Sequence, residues 1–297
     1  MSENPTESSD AYTRERGRTI ASLTVILGTL ALSWSFTTVL NLALTKGPPL
    51  PPTNAGEDLS SLVTGLSSVE PYLYVLALLS VLTGFGYALF RLMRDVPRLV
   101  SLLSGAAFFA LSLGTSLFYL SVLSLIGFQI PELSAQLIAL AAAIILTLSM
   151  IIGRPKASLI SGPIVGSGAG VMLGFSLETS IGLILLSSIV IFDYVMVRYG
   201  YLSKLRDSSY LSNLRSLRGL IIDGGDFVLG LGDVILYSFL ISLVYFSIGA
   251  FSALLSSIGI VTGFLLTLAT LRRRGIAPAA SLPLLIGLIG GTIPLFI

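Results

Sequence analysis

The stretch TSIGLILLSSIVIFDYVMVRY, residues 179–199, decides the fold class. It is a nearly continuous apolar run with two charged residues, Asp193 in its interior and Arg198 at its end. At 1.5 Å per residue, about 20 helical residues cross the roughly 30 Å hydrocarbon core of a bilayer. The stretch therefore predicts a transmembrane helix that carries a carboxyl group inside the membrane.

Eight further stretches have the same apolar character, and Pro, Gly and charged residues mark the gaps between them. The 297-residue chain is 54% hydrophobic and 11% charged, with a mean hydropathy of +0.94, beyond the usual range of a soluble domain. A β-barrel would instead show alternating segments of about ten residues. The sequence predicts an all-α, polytopic membrane protein with nine transmembrane helices. We place them at 20–45, 71–93, 98–127, 133–153, 157–177, 179–199, 226–248, 250–271 and 276–296.

The basic residues predict how these helices are oriented. Loops rich in Lys and Arg stay on the cytoplasmic side of a membrane. With the N-terminus inside, 16 of the 17 basic residues fall on that side, and only Lys46 is external. We therefore expect a multi-pass cell-membrane protein with a cytoplasmic N-terminus and an external C-terminus. Its parts are a cytoplasmic tail at 1–19, helices one to six at 20–199, a cytoplasmic loop at 200–225, and helices seven to nine at 226–297.

The residue types that are missing narrow the possible chemistry. The sequence has no cysteine and no histidine, which excludes thiol nucleophiles, imidazole bases and the usual zinc or haem ligands. A Ser-His pair and a His-Glu-x-x-His zinc helix are both impossible. The basic residues are spread over separate loops, which predicts no nucleic-acid partner. Carboxyl groups remain as the acid and base, and we expect neither a metal nor a cofactor.

Two aspartates within predicted helices are the candidate catalytic residues. Asp193 precedes Arg198 by five residues and lies roughly 8 Å below the cytoplasmic edge. Asp233 lies seven residues into the seventh helix if that helix begins near Asp226. Because the two helices run in opposite directions, both carboxyl groups reach a similar depth and can meet. A close carboxyl pair shares one proton and can act as general acid and base, without the sequence assigning which is the base.

The acidic residues also have simpler interpretations. Asp193 and Asp233 could form a structural hydrogen-bonded pair or part of a proton or cation pathway. Asp223 and Asp226 are closer to the cytoplasmic edge, where helix N-capping or solvation at the interface explains them. Glu178, between the fifth and sixth helices, is interpreted as an external loop charge.

A motif around the second aspartate resembles that of a known family. Gly230-Leu231-Gly232-Asp233, after Phe192-Asp193 in the preceding helix, is similar to the presenilin and signal peptide peptidase family of intramembrane aspartyl proteases. In that family the first aspartate follows a tyrosine, the second ends a Gly-x-Gly-Asp motif, and a Pro-Ala-Leu motif lies in the last helix. Phe192 replaces the tyrosine, which keeps the aromatic surface and loses a hydroxyl.

The counterpart of the Pro-Ala-Leu motif has two possible alignments. We align it with Ala280-Ser281-Leu282, which is followed by Pro283. Pro278-Ala279-Ala280 is the rival alignment. In the first alignment the leucine is kept and the leading proline and alanine are not.

The resemblance implies an aspartic endopeptidase of the presenilin type with Asp193 and Asp233 as its catalytic pair. It implies a transmembrane protein or peptide as substrate, cleaved within the lipid bilayer, and we expect no obligatory protein partner. The N-inside orientation resembles presenilin, and signal peptide peptidases have the inverted one. The lack of Asn-x-Ser/Thr sites, cysteine and large domains favours a prokaryotic homologue. The expected supporting residues are Phe192, Gly230, Leu231, Gly232, Ala280, Ser281, Leu282 and Pro283.

Two rival classes share some of these features. Prepilin peptidases also use a Gly-x-Gly-Asp motif, which usually continues into a lysine, whereas Val234 follows here. A transporter or leak channel could use the same two aspartates to bind cations, and it would show flux without proteolysis.

A glycine repeat in the fifth helix carries structural information. Glycines recur every four residues along one face, a pattern that lets neighbouring helices approach closely. We interpret it as packing within the chain in preference to a dimer contact. The repeat consists of Gly162, Gly166, Gly170 and Gly174.

Overall fold

The structure is a computed structural model that describes residues 5–46, 69–152, 155–198, 217, 219–223, 228–274 and 280–295. Within these residues there are nine α-helices and one antiparallel hairpin. The helices are α1 (Pro5–Lys46), α2 (Glu70–Asp95), α3 (Pro97–Ile126), α4 (Glu132–Ile151), α5 (Pro155–Ser176), α6 (Thr179–Arg198), α7 (Leu231–Ser247), α8 (Ala250–Arg274) and α9 (Ser281–Thr292). The hairpin pairs β1 (Ile221–Asp223) with β2 (Val228–Gly230), and a 3-10 turn, Ile293–Leu295, follows α9.

The predicted all-α, multi-pass class is confirmed. Seven helices, α1 to α6 and α8, are long and apolar enough to cross a membrane. The apolar helices Leu231–Ser247 and Ser281–Leu295 are shorter than 18 residues. Length and composition alone therefore support seven spans, and the expected number of nine requires α7 and α9 to cross as well.

Three helices start more than two residues away from the position expected from the sequence. Helix α1 begins at Pro5, inside the expected tail, and proline favours the first position of a helix. Helix α7 begins at Leu231 and not at 226, because Val228–Gly230 pairs with β1 as a strand. Helix α9 begins at Ser281, whereas the expected start at 276 lies outside the described residues. Most of the expected loop 200–225 also lies outside them.

Helix α7 is the centre of the bundle and is packed against α1, α5, α6, α8 and α9. Side chains around its whole circumference are buried, including those of Tyr237, Phe239 and Leu243. A helix that is apolar on all sides is expected in such a position. Ser33 of α1 donates to Ser238 of α7 over 2.7 Å, so a polar contact also joins two of these helices.

The glycine face of α5 is covered by α7 and β1. A Cβ added at Gly162 would lie 2.5 Å from Cγ1 of Ile222, and one at Gly166 would lie 2.7 Å from Cγ1 of Val234. At Gly170 and Gly174 the nearest atoms include backbone atoms of α7. This packing within the chain was expected from the glycine repeat. It fixes α7, and with it Asp233, against α5.

Candidate active site

The sequence motif around Asp233 forms the start of α7. Strand β2 ends at Gly230, which is the N-cap residue of the helix and has extended backbone angles of φ −69° and ψ 133°. Asp233 is the third helical residue, and its carboxyl group forms a hydrogen bond with the backbone of Gly230. An acidic side chain at this position can satisfy the amide of the N-cap residue. The spacing from Gly230 to Asp233 is therefore that of half a capping box.

This position corrects the expected depth of Asp233. The sequence analysis placed the residue seven positions into a helix, whereas it lies in the first turn of α7. The error came from treating Val228–Gly230 as helical, although these residues form β2. Asp233 consequently lies where the backbone changes from extended to helical, next to amides that have no partner inside the helix.

Asp193, in α6, is bound to the beginning of α9. Its Oδ2 accepts hydrogen bonds from the backbone N–H of Ala280 over 3.2 Å, from the N–H of Ser281 over 3.0 Å, and from Oγ of Ser281 over 2.7 Å. The first amides of a helix lack intrahelical acceptors and form the positive end of its dipole. The Asp193 carboxyl group supplies the acceptor that these amides lack.

The structure brings the two candidate aspartates together. The charges of Asp193 and Asp233 interact with each other, and both also interact with the phenol of Tyr237. Both aspartates are half-buried, whereas Tyr237 is fully buried. The arrangement combines α6, α7 and α9 into one site with two carboxyl groups and a phenol. Two interacting carboxyl groups that are only half-buried can serve as an acid and a base toward water.

Sequence analysis did not identify Tyr237 as part of the site. The residue follows Asp233 by four positions, and residues four apart are neighbours on one face of a helix. That spacing was the available signal, although an aromatic residue in an apolar helix is usually part of the core.

The other expected supporting residues have different surroundings. Phe192 is half-buried beside Asp193 in α6, and Gly232 is exposed, with no atom within 4 Å of an added Cβ. Leu231 is buried, and its Cδ1 would lie 3.2 Å from a Cβ added at Gly166. All three lie close in sequence to an aspartate, and Leu231 packs toward α5.

In the segment expected to match Pro-Ala-Leu, only the first two residues bind Asp193. Ala280 and Ser281 donate to it, whereas the backbones of Leu282 and Pro283 lie against Gly263 of α8. Pro283 lies in the first turn of α9, where its missing N–H has no cost. The rival alignment requires Pro278 and Ala279, which lie outside the described residues.

Two acidic residues outside the pair have local roles. Asp223 ends β1 and does not cap α7, because the N-cap residue is Gly230. Its carbonyl oxygen accepts a hydrogen bond from Ser158 over 2.7 Å. Glu178 precedes α6, and its carboxylate accepts from Ser180 over 2.7 Å. Asp226 lies outside the described residues.

Comparison with known proteins identifies the fold. No protein-family model and no curated protein matches the chain. A solved structure of a presenilin family intramembrane aspartate protease in space group C222 is 18% identical, with a TM-score of 0.58, over 91% of this chain and 97% of that chain. A structure described in the same words, in space group P2, is 19% identical, with a TM-score of 0.56, over 91% of this chain and 93% of that one. At these identities the likeness concerns the fold, and the chain is thus a multi-pass membrane protein with a presenilin-like fold.

Proposed function

We propose that the chain is an intramembrane aspartyl protease that hydrolyses peptide bonds of transmembrane helical substrates with Asp193 and Asp233. The observation that supports the proposal is that α6 and α7, the helices that bear these two aspartates, pack against each other in a presenilin-like fold, with the Asp193 carboxyl group close enough to Asp233 to act on it electrostatically. Because the sequence has no histidine and no cysteine, carboxyl groups are the obvious acid and base for this chemistry.

The proposed reaction uses water as the nucleophile and needs no covalent intermediate. The ionised member of the pair takes a proton from water while the oxygen of that water bonds to the scissile carbonyl carbon. The protonated member gives its proton to the carbonyl oxygen, which produces a neutral tetrahedral diol. The member that took the proton from water then gives it to the amide nitrogen, while the other member, now ionised, removes a proton from a hydroxyl group of the diol. The C–N bond breaks, a carboxylic acid and an amine are released, and the pair returns to its initial state.

The substrate must be extended before it can react. A transmembrane helix hides its carbonyl groups in internal hydrogen bonds, and exposed backbone inside a bilayer requires a protein-lined, wet cavity. Strand β2 runs to Gly230, three residues before Asp233. Within the described residues the sheet contains only β1 and β2. An extended substrate segment that pairs with a free edge of this sheet would be guided toward Asp233 by backbone hydrogen bonds.

The proposal includes the membrane location and the partners. The distribution of basic residues supports a cell-membrane protein with a cytoplasmic N-terminus and an external C-terminus, so that the active site opens toward the cytoplasmic half of the bilayer. The partners are the lipid bilayer and a transmembrane protein or peptide substrate, with no obligatory protein subunit and no cofactor.

Reconstitution tests the proposed reaction directly. The purified chain is placed in liposomes with a single-span test substrate, and the products are measured by mass spectrometry. We expect two complementary fragments, and we expect their formation to be blocked by a transition-state analogue whose hydroxyl group mimics the hydrated peptide bond. Cation flux through the same liposomes without any cleavage would contradict the proposal and support a channel.

Gly232 provides a test of close substrate approach. Because its position is exposed and open, Gly232→Ala is expected to fold normally and to hinder only a substrate that lies against this backbone. We expect KM to rise about fivefold, equivalent to about 1 kcal/mol, with kcat unchanged and Tm not lowered, because alanine is the better helix residue at an open position. Gly28→Ala is the matched control, because Gly28 is also exposed and open but lies in α1. Equal KM values for the two variants would contradict the prediction.

A further inference from the structure

The side chain of Ser281 makes a contact that the helix does not require. Ser281 is the first residue of α9 and is 5% exposed. Its backbone N–H has an acceptor without any help from the hydroxyl, since it donates to Asp193 over 3.0 Å. A serine that caps a helix accepts a hydrogen bond from an amide further along. Here the hydroxyl donates instead, and no side-chain cap bond is present at the start of α9.

The hydroxyl has one proton and two acceptors within reach. Oδ2 of Asp193 lies 2.7 Å from Ser281 Oγ, and the carbonyl oxygen of Val190 lies 3.2 Å from it. A hydrogen bond to a charged acceptor is shorter and stronger than one to a neutral carbonyl. The geometry therefore directs the proton to the carboxylate of Asp193.

All hydrogen bonds that the described residues make to Asp193 fall on the same oxygen, Oδ2. Two of the donors are backbone amides, and any residue other than proline would supply them. The third donor depends on the side chain of Ser281.

We propose that Ser281 is a positioning residue that fixes the carboxyl plane of Asp193 through Oδ2, so that Oδ1 is presented for the reaction with water. This inference rests on the proposed function, and it adds a specific side chain to it. Positioning of a reacting group to within a fraction of an ångström changes rates strongly, because the entropy of orientation is lost before the transition state is reached. Ser281 acts through Asp193 and does not contact the substrate.

The test compares Ser281→Ala with Ser281→Thr. Loss of the hydroxyl is expected to lower kcat about tenfold with KM unchanged, whereas threonine, which keeps the donor, is expected to restore kcat to within about threefold of the wild type. The affinity of the transition-state analogue is expected to fall by the same factor as kcat, because both measure the transition-state contact. Ser281→Cys keeps the volume with a weak donor and is expected to resemble Ser281→Ala, which provides a second variant if alanine prevents folding.

Ser256→Ala is the matched structural control. Ser256 is fully buried in α8, and its hydroxyl donates over 2.8 Å to the carbonyl oxygen of Gly287 in α9. The alanine variant loses a buried hydrogen bond to α9, the helix that also carries Ser281, but this bond does not involve Asp193. We therefore expect Tm to fall while kcat is kept. Unchanged kcat and analogue affinity in Ser281→Ala, or a kcat loss as large in Ser256→Ala, would overturn the positioning role. Absence of cleavage by the wild type would instead overturn the proposed function.

Discussion

Asp193→Asn and Asp233→Asn are each expected to lower kcat about 10²- to 10⁴-fold, the range for a lost general acid or base. Asparagine keeps the size of the side chain and one carbonyl oxygen. That oxygen can still accept the hydrogen bonds from Ala280 and Ser281 in one variant, and from Gly230 in the other. The fold is thus maintained, and only the capacity to exchange a proton with water is removed. Single-turnover cleavage of the test substrate in liposomes measures the effect.

The double variant separates a catalytic pair from two independent residues. Groups that act as a unit show strongly non-additive losses, so the variant with both asparagines is expected to be no slower than the slower single variant within a few-fold. Unchanged Tm values provide the control for folding. Cleavage at more than about a tenth of the wild-type rate in either single variant would contradict the assignment of that aspartate.

Gly170→Ala is expected to destabilise the protein by about 3 kcal/mol. The added Cβ would collide with the carbonyl oxygen of Ile235, and it would lie 2.6 Å from Cβ of Ser238 and 2.9 Å from the backbone N of Phe239. Backbone atoms cannot rotate away as a side chain can, so α5 and α7 have to separate, and overpacking of this kind costs about 1–3 kcal/mol or more. Reversible unfolding in detergent micelles measures the loss.

The matched control for this variant is Gly114→Ala in α3. An added Cβ at Gly114 meets no atom within 4 Å, so the alanine is expected to stabilise its helix by about 0.5–1 kcal/mol. Opposite signs for the two variants are therefore expected from the same chemical change. Because α7 carries Asp233, Gly170→Ala is also expected to slow cleavage, whereas Gly114→Ala is not. Equal stabilities would show that α5 and α7 are not in backbone contact.

The helical class and the meeting of the aspartates were accessible from the sequence. Hydropathy and charge located the nine helices of the described residues, and the order of the sixth and seventh helices predicted that Asp193 and Asp233 lie near each other, although the position of Asp233 within its helix was wrong. The β-hairpin was missed because Val228-Leu229-Gly230 is apolar, and hydropathy alone does not separate a short strand from the beginning of a helix. This error also displaced the expected environment of Asp233.

The partners of Asp193 were only partly accessible. The family resemblance singled out Ala280 and Ser281. Two of the donors to Asp193 are their backbone amides, and since every residue except proline has an amide N–H, the residue type does not reveal such donors. The hydroxyl of Ser281 is visible in the sequence, and in the alignment with Ala280-Ser281-Leu282 it stands where the family motif has an alanine. Its direction depends on how α9 is placed against α6, which is a property of the tertiary structure.

The contact between α5 and α7 has a mechanical consequence. Gly170 and Gly174 of α5 lie directly against main-chain atoms of α7, so there is no space between the two helices. We therefore expect α5 and α7 to move as one rigid unit. A transmembrane helical substrate therefore cannot make space for itself by moving α7 closer to α5. In contrast, only 6% of the apolar segment of α2 is buried against the rest of the chain. We therefore expect any widening of the bundle to occur on the α2 side, while the pair α5 and α7, which carries Asp233, keeps its shape.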